Sequence, residues 1–346
     1  MKSYQVVEFG KPLELREYDN PIPIEEEVLI KISACGVCHS DIHLTDGFFD
    51  LGNGEKITLA DRGTELPFTP GHEITGKVVA KGEKANIDIG DEGIVFPWIG
   101  CQSCSSCEKS LETLCENPKY LGARLNGGYS DHILVPSAKY IVPYGNLKPA
   151  QAAPYACSGL TAYSALKKVA HTKKDEFILI IGAGGVGING ILLAPSLHNA
   201  KIVAIDIDKN KRIEAVNAGA CIAFSPDQIT EINQYCSGKI VAAIDFVGAE
   251  NTTKFAVNII KKGGTVVVVG LYGGSISLAI PLIPMRSLKL IGSYVGELNE
   301  LKELINIIKN GSIELINIKT QKLSTANDAI KDLRNGKVNG RIVLEP

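Results

Sequence analysis

The stretch from Phe177 to Asp206 restricts the possible folds of this chain more than any other. Phe177-Ile178-Leu179-Ile180-Ile181 is a fully apolar run that reads as a buried strand. Gly182-x-Gly184-x-x-Gly187 follows at once, and Val186–Ala194 can form a helix. Lys201-Ile202-Val203-Ala204-Ile205-Asp206 is the next strand, ending in an acid nineteen residues after the last glycine. Each position has a physical reason. Gly182 permits a tight turn, Gly184 lets the backbone approach a pyrophosphate, and Gly187 lets helix and strand pack closely. The helix N-terminus offers free N–H groups and the positive end of a dipole. Asp206 can accept hydrogen bonds from both ribose hydroxyls and would repel a 2′-phosphate. The glycines alone would fit a turn in another α/β fold. Between a strand and a helix, with the acid at this distance, they specify a dinucleotide site.

The alternation continues downstream. Lys209–Ala218 reads as a helix ended by Gly219, Ile240–Phe246 as a strand and Thr252–Lys261 as a helix. Thr265–Val269 and Leu288–Gly292 are further strands. Repeated β-α-β predicts a parallel, doubly wound sheet. Two features disturb it. Pro195 removes a donor and is expected to kink or end the helix after the glycine turn, and Asn189-Gly190 to loosen it. Both lie away from the phosphate end.

The first 150 residues read differently. Val28–Ile32, Gly76–Ala80 and Gly93–Phe96 are short strands, too irregular for a βαβ array, so this part is β-rich. Phe48–Pro70 reads as an exposed excursion with a turn at Gly52-Asn53-Gly54. After Glu297–Lys309, a helix, the tail (helix Thr325–Leu333, strand Gly340–Leu344) has no place in the parallel sheet and is expected to return to the first domain. A chain of 346 residues favours two domains.

Composition excludes several classes. Lys+Arg is 36 against Asp+Glu 38, so no nucleic-acid or acidic membrane surface is expected. Two charge-free stretches, Phe177–Asn199 and Gly263–Met285, are broken by glycine turns and are not membrane spans. Met1–Gln5 has no apolar signal core, and a cytoplasmic location is expected. The nine cysteines are odd in number and unevenly placed, which favours metal binding over a disulfide framework.

The cysteines fall into two settings. Cys101-x-x-Cys104-x-x-Cys107-x7-Cys115 can wrap a tetrahedral zinc in a closed, structural site. Free or disulfide-linked cysteines are the bland alternative. A nucleic-acid zinc ribbon would want flanking basic residues, but Glu108, Glu112 and Glu116 surround a single Lys109. Elsewhere, Cys35–His43 packs two thiols, two imidazoles, a hydroxyl and a carboxylate into nine residues. Gly71-His72-Glu73 and a lone Cys157 follow, and the three places are expected to meet at one zinc. The bland reading makes His72 a core imidazole and His43 a solvated loop residue. Cys35, Cys221 and Cys236 read as small apolar fillers.

In this order the features resemble the zinc-containing medium-chain alcohol dehydrogenases, most of all their archaeal NAD-dependent branch, across essentially the whole chain. Gly71-His72-Glu73-x-x-Gly76-x5-Gly82 matches that family's zinc signature. The resemblance implies a GroES-like catalytic domain at 1–157 and 297–346, with a structural-zinc lobe at 96–116, around a Rossmann NAD-binding domain at 158–296. It implies two zinc ions per chain. Cys38, His72 and Cys157 would ligate the catalytic one, with Glu73 behind them or as an exchangeable fourth ligand. Ser40 and His43 would relay the proton, and Asp41 would orient the ligating histidine. The cofactor would lie on His39, Gly182, Gly184, Gly185, Val186, Gly187, Asp206 and Lys211. Phe49, Trp98, Leu121, Leu271 and Val295 would line an apolar substrate pocket.

The implied reaction is reversible hydride transfer from a primary or secondary alcohol to NAD. A metal held by Cys/His/Cys keeps an open position for the substrate oxygen. Ser40 can take the released proton and pass it through the cofactor ribose to His43, which titrates near neutral pH. A homotetramer is expected, a dimer next. The alternatives are a polyol or other secondary-alcohol dehydrogenase, against which Trp98 and Leu121 argue mildly, and a non-catalytic nucleotide- or zinc-binding protein. The retained Cys38, His72 and Cys157 stand against the latter.

Overall fold

Strand Phe177–Ile181 shows why the fold has two layers of core around a central sheet. In the computed structural model, which describes residues 1–311 and 313–346, all five of its residues are buried. Successive strand side chains point to opposite faces. Ile178 and Ile180 pack into one apolar cluster, and Phe177, Leu179 and Ile181 into another. Six parallel strands form this sheet, in the order Ile222–Phe224, Lys201–Ile205, Phe177–Ile181, Ile240–Asp245, Thr265–Val268, Lys289–Gly292. The order reverses between Phe177–Ile181 and Ile240–Asp245, so a crevice opens beyond the carboxyl ends of those strands.

A seven-stranded sheet is built on Val28–Gly36, which pairs antiparallel with Glu73–Lys81, His132–Val135 and Arg341–Glu345. The tail therefore closes the first sheet: Val343 stands opposite Gly36, and Ile318–Lys322 lies parallel to Arg341–Glu345 outside it. Helix Ser158–Lys167 lies at the junction. It is buried from Ser158 to Leu166, as expected of a helix packed on several sides, and it packs on helices Gly185–Leu197 and Leu298–Lys309. Among the described residues no helix is long and apolar enough to cross a membrane.

Two local expectations, both about one helix, need correction. Helix Gly185–Leu197 runs through Pro195 instead of stopping at Ala194. Pro195 lies in the last turn, where only one intrahelical donor is lost; the Ser196 hydroxyl donates to the Leu193 carbonyl at 2.7 Å and His198 N–H to Ala194 at 2.9 Å. Gly190 does not loosen this helix. It fits it to the sheet, because a Cβ there would stand 2.9 Å from the Phe246 ring. Strand Ile222–Phe224 and helix Ile229–Cys236 complete a β-α unit that the short apolar runs concealed.

The Phe48–Pro70 excursion is only partly exposed. Phe48–Gly52 and Glu55–Thr58 form a hairpin whose turn residues, Gly52, Asn53 and Gly54, all have positive φ. Leu59, Thr64 and Phe68 are buried. At its tip Gly52 touches the Gly274-Ser275 backbone, so the hairpin bridges from the first sheet to the rim of the second. Cys35 and Cys236 are buried, whereas Cys221 is exposed and fills no core space.

Candidate active site and metal centres

Strand register brings the first cluster together. Gly36 stands opposite Glu73 across the two central strands, so Cys38 and His72, just beyond these residues, emerge at the same end. Gly36 must lack a side chain, since a Cβ would collide with the Glu73 carboxylate. After Cys38 the chain turns into helix His39–Asp46, and Cys38 N–H donates to Asp41 Oδ2 at 2.9 Å. Cys157 arrives from the opposite side, at the start of helix Ser158–Lys167.

Cys38, His72 and Cys157 are all buried, and their ligand atoms lie within 4.8 Å of one another. Cys38 Sγ and Cys157 Sγ are 3.9 Å apart. A disulfide would need about 2.05 Å. Two thiolates at about 2.3 Å from a tetrahedral metal stand about 3.8 Å apart. His72 Nε2 is buried without a protein partner. The donor set therefore fits a zinc ion.

Asp41, fully buried, organises this cluster. Oδ1 lies 3.4 Å from His72 Nδ1 and accepts Gly71 N–H at 3.2 Å. Oδ2 accepts the Tyr129 hydroxyl at 2.9 Å. Burial, with the Asp41 charge beside it, pushes the Tyr129 phenol well above its ordinary 10.0, so it stays a donor. With Nδ1 turned to the carboxylate, His72 presents Nε2 to the cluster. Glu73 stands apart from the three ligand atoms. Its carboxylate pairs with Arg341 and accepts Ser158 N–H at 3.1 Å.

Cys101, Cys104, Cys107 and Cys115 form the second cluster. Their sulfurs lie 3.5 Å (Cys104–Cys107), 3.8 Å (Cys104–Cys115) and 4.0 Å (Cys101–Cys107) apart, which again suits a tetrahedral thiolate site and no disulfide. The buried Glu112 carboxylate braces the loop, accepting Gly100 N–H at 2.7 Å and the Tyr140 hydroxyl at 3.0 Å. Glu297, at the start of helix Leu298–Lys309, accepts Glu112 N–H at 2.9 Å and the Thr113 hydroxyl.

One cavity of about 440 Å³ joins the first cluster to the glycine turn. Cys38, His72 and Cys157 line one end; Gly182, Gly184, Gly185, Val186, Gly187, Asp206 and Lys211 line the other. Gly182 has φ +87°, and a Cβ on Gly187 would collide with its carbonyl. Space beside Gly184 is open within 4 Å, a cradle for a phosphate. Asp206 is fixed at the rim by Ala183 N–H and Asp208 N–H, both at 2.8 Å. These residues fit a dinucleotide with a free ribose diol.

His39, Ser40, His43, Phe49, Trp98, Leu271 and Val295 also line this cavity. The His43 ring packs on Phe49 at 4.9 Å, and its Nε2 is buried without a partner. Trp98 packs on His72 at 5.3 Å and donates its Nε1–H to the Ala156 carbonyl at 3.0 Å. Leu121 is the exception among the expected pocket residues. It is only 1 % exposed, tied through its N–H to Pro97 and absent from the cavity wall, where its neighbour Tyr120 stands instead. Adjacent residues of an extended segment face opposite ways, and the wall takes Tyr120.

With this geometry in view, the relatives are informative. The model of the alcohol dehydrogenase GroES-like domain matches residues 24–146, and that of the zinc-binding dehydrogenase matches residues 185–310. An NAD-dependent alcohol dehydrogenase of Sulfurisphaera tokodaii is 36% identical over 351 residues, covering 100% of both chains. The chain belongs to the zinc-containing alcohol dehydrogenase family. Among solved structures, the alcohol dehydrogenase of Aeropyrum pernix superposes with a TM-score of 0.89 at 26% identity, covering 100% of both chains. The D-arabinose dehydrogenase of Sulfolobus solfataricus gives 0.83 at 28% identity, covering 100% of this chain and 99% of that one.

Several residues of this family member's site escaped sequence reasoning. Arg341 reaches the Glu73 carboxylate and the Gly185 backbone from the closing strand. Its only signal was a lone cation before Ile342-Val343-Leu344. Tyr129, which holds Asp41, and Tyr120, Tyr294 and Thr161, which line the cavity, carry no spacing that could reveal them. The Asp41 contacts generate a test. Asp41→Asn keeps the shape but removes the charge that holds His72, so zinc affinity at the first site should fall about 10–100-fold. Chelator competition measures this, and an unchanged affinity would contradict the orienting role.

Proposed function

We propose that this protein is an NAD-dependent alcohol dehydrogenase that moves a hydride reversibly between a primary or secondary alcohol and NAD, giving an aldehyde or ketone. One observation carries the reading: a single cavity has a Cys/His/Cys cluster at one end and a glycine turn with Asp206 at the other. When bound, zinc supplies a Lewis acid for the substrate oxygen and NAD accepts the hydride.

The chain's own residues do the rest. Cys38, His72 and Cys157 would hold the catalytic metal, with Glu73 behind them, and Cys101, Cys104, Cys107 and Cys115 the structural one. Asp41 orients His72. Gly182, Gly184, Gly185, Val186 and Gly187 cradle the pyrophosphate with His39, and Asp206 and Lys211 receive the adenosine ribose. Phe49, Trp98, Leu271 and Val295 exclude water from the reacting carbon. Ser40 accepts the substrate proton and His43 carries it outward; the unpartnered His43 Nε2 supports this route. The catalytic unit comprises 1–157 and 297–346 around a nucleotide unit at 158–296. A polyol substrate is less favoured, because aromatic rings dominate the wall near His72.

A panel of alcohols with NAD, followed by NADH absorbance, tests the activity. Cys38→Ser should abolish turnover, reduce bound zinc from about two per chain to one, and leave NADH binding intact. Turnover that persists in this variant would sink the metal assignment.

His43 gives the pH dependence. Burial, reinforced by His39, holds its pKa below the ordinary 6.5. The ring is then neutral at pH 7 and able to accept a proton, and it loses that capacity only as pH falls through its lowered pKa. Alcohol oxidation should therefore show an acid limb below 6.5, and His43→Ala should remove that limb while lowering kcat about 100-fold. The pH–kcat profiles of the two proteins decide this.

We further propose a cytoplasmic homotetramer. The open edge strand Lys289–Gly292 and the exposed Ile280 and Met285 beside it support assembly through the nucleotide-binding sheet. Light scattering at the mass of a monomer would refute it.

A further inference from the structure

The cavity does not end at the aromatic wall. Beyond it lies a second chamber that shares Phe49, Tyr120, Leu271 and Tyr294 with the first. It also shares Arg62, from the hairpin excursion, and Arg124. Among the described residues neither guanidinium has a carboxylate within ion-pairing distance. Asp50 and Glu116 line the outer chamber alone. The Asp50 carboxylate is occupied with Gly52 N–H at 2.7 Å. The shared neck thus carries two unpaired cations and no acid.

The rings give the order of groups along the cavity. His72 packs on Trp98 at 5.3 Å, and Trp98 packs on Tyr120 at 5.5 Å and on Tyr294 at 6.0 Å. Tyr294 lies between the two ends. It lines both chambers, and its phenol, pushed up to about 12 by desolvation, lies close enough to feel both the Arg62 and Arg124 guanidinium groups and the Cys157 and Cys38 thiols. An apolar passage about two rings long therefore leads from the reacting carbon to a pair of cations. Six-carbon chains that end in an anion serve as probes of this passage.

We propose that Arg62 and Arg124 form an anion subsite, selecting alcohols and carbonyl compounds that carry a carboxylate or phosphate at the end remote from the reacting carbon. Guanidinium suits such groups, because its planar fork donates two parallel N–H bonds to an oxyanion. The subsite deepens the dehydrogenase reading above and rests on it.

Turnover compares 1-hexanol, 6-hydroxyhexanoate and 6-hydroxyhexyl phosphate on the zinc-loaded enzyme with NAD. At least one anionic substrate should exceed hexanol at least tenfold in kcat/KM. The stronger of the two identifies the oxyanion. The preference should collapse in Arg62→Gln and Arg124→Gln and return in Arg124→Lys. Calorimetry on the NADH-loaded protein supplies a readout independent of turnover: 6-amino-6-oxohexanoate should bind at least tenfold tighter than hexanamide, and higher ionic strength should shrink the difference. If alcohols react but the anionic and neutral members of both sets score alike, the subsite is overturned and the dehydrogenase survives. If no alcohol reacts, the dehydrogenase reading fails, and the calorimetric ratio alone decides for or against the anion subsite.

Discussion

The buried pair of Glu73 and Arg341 ties the molecule together. Glu73 begins a central strand next to the first metal cluster, and Arg341 begins the strand that closes the chain. Both are almost wholly buried. Burial pushes the Glu73 carboxyl up, while Arg341 opposes it; Arg341 itself stays charged, its pKa raised by Glu73 and the nearby thiols. Such a pair adds little net stability, because desolvation offsets most of the attraction. Its value is positional. It draws the last strand against Val28–Gly36 and sets a cation beside Gly185 at the nucleotide turn. The tail must return to the first sheet for the nucleotide site to be complete.

The two cysteine clusters have similar sulfur spacings and opposite surroundings. Cys101, Cys104 and Cys107 are partly exposed, and all four ligand positions of the lobe are filled by thiols. The lobe depends on support from Glu112 within it and from Glu297, at the start of helix Leu298–Lys309, far away in sequence. Cys38, His72 and Cys157 are buried and offer only three donors, facing a cavity. Four donors make a closed site and three leave room for a substrate. In the proposed enzyme the lobe would contribute shape and the buried triad chemistry.

What was legible in the sequence was local. Gly182, Gly184, Gly187 and Asp206 act within one β-α-β unit, so their spacing carries the whole message. Cys101 to Cys115 act within one loop. The helix around Pro195 was misread because its penalty depends on distance from the helix end, and the end lay three residues further on. Leu121 was misread because one residue decides which neighbour faces the cavity. Arg341 and Tyr129 were missed because each acts on a residue far away in sequence, Glu73 and Asp41, and only the strand pairing reveals it.

The same distinction separates reaction from substrate. The residues proposed to handle the oxygen, the proton and the cofactor lie at strand ends and helix starts, where the pairing of Gly36 with Glu73 and the turn at Gly182 leave little freedom. Residues that meet the far end of a substrate lie on the hairpin excursion and on the loop through Tyr120 and Arg124. A change of length or charge there leaves the sheets untouched, since few backbone pairings cross into those loops. This explains how one scaffold can align with both an alcohol dehydrogenase and a sugar dehydrogenase at TM-scores of 0.89 and 0.83. In the proposed reaction the fold would fix where hydride and proton travel. The arginines at the neck, carried by loops, would then select which molecules can lie along that route.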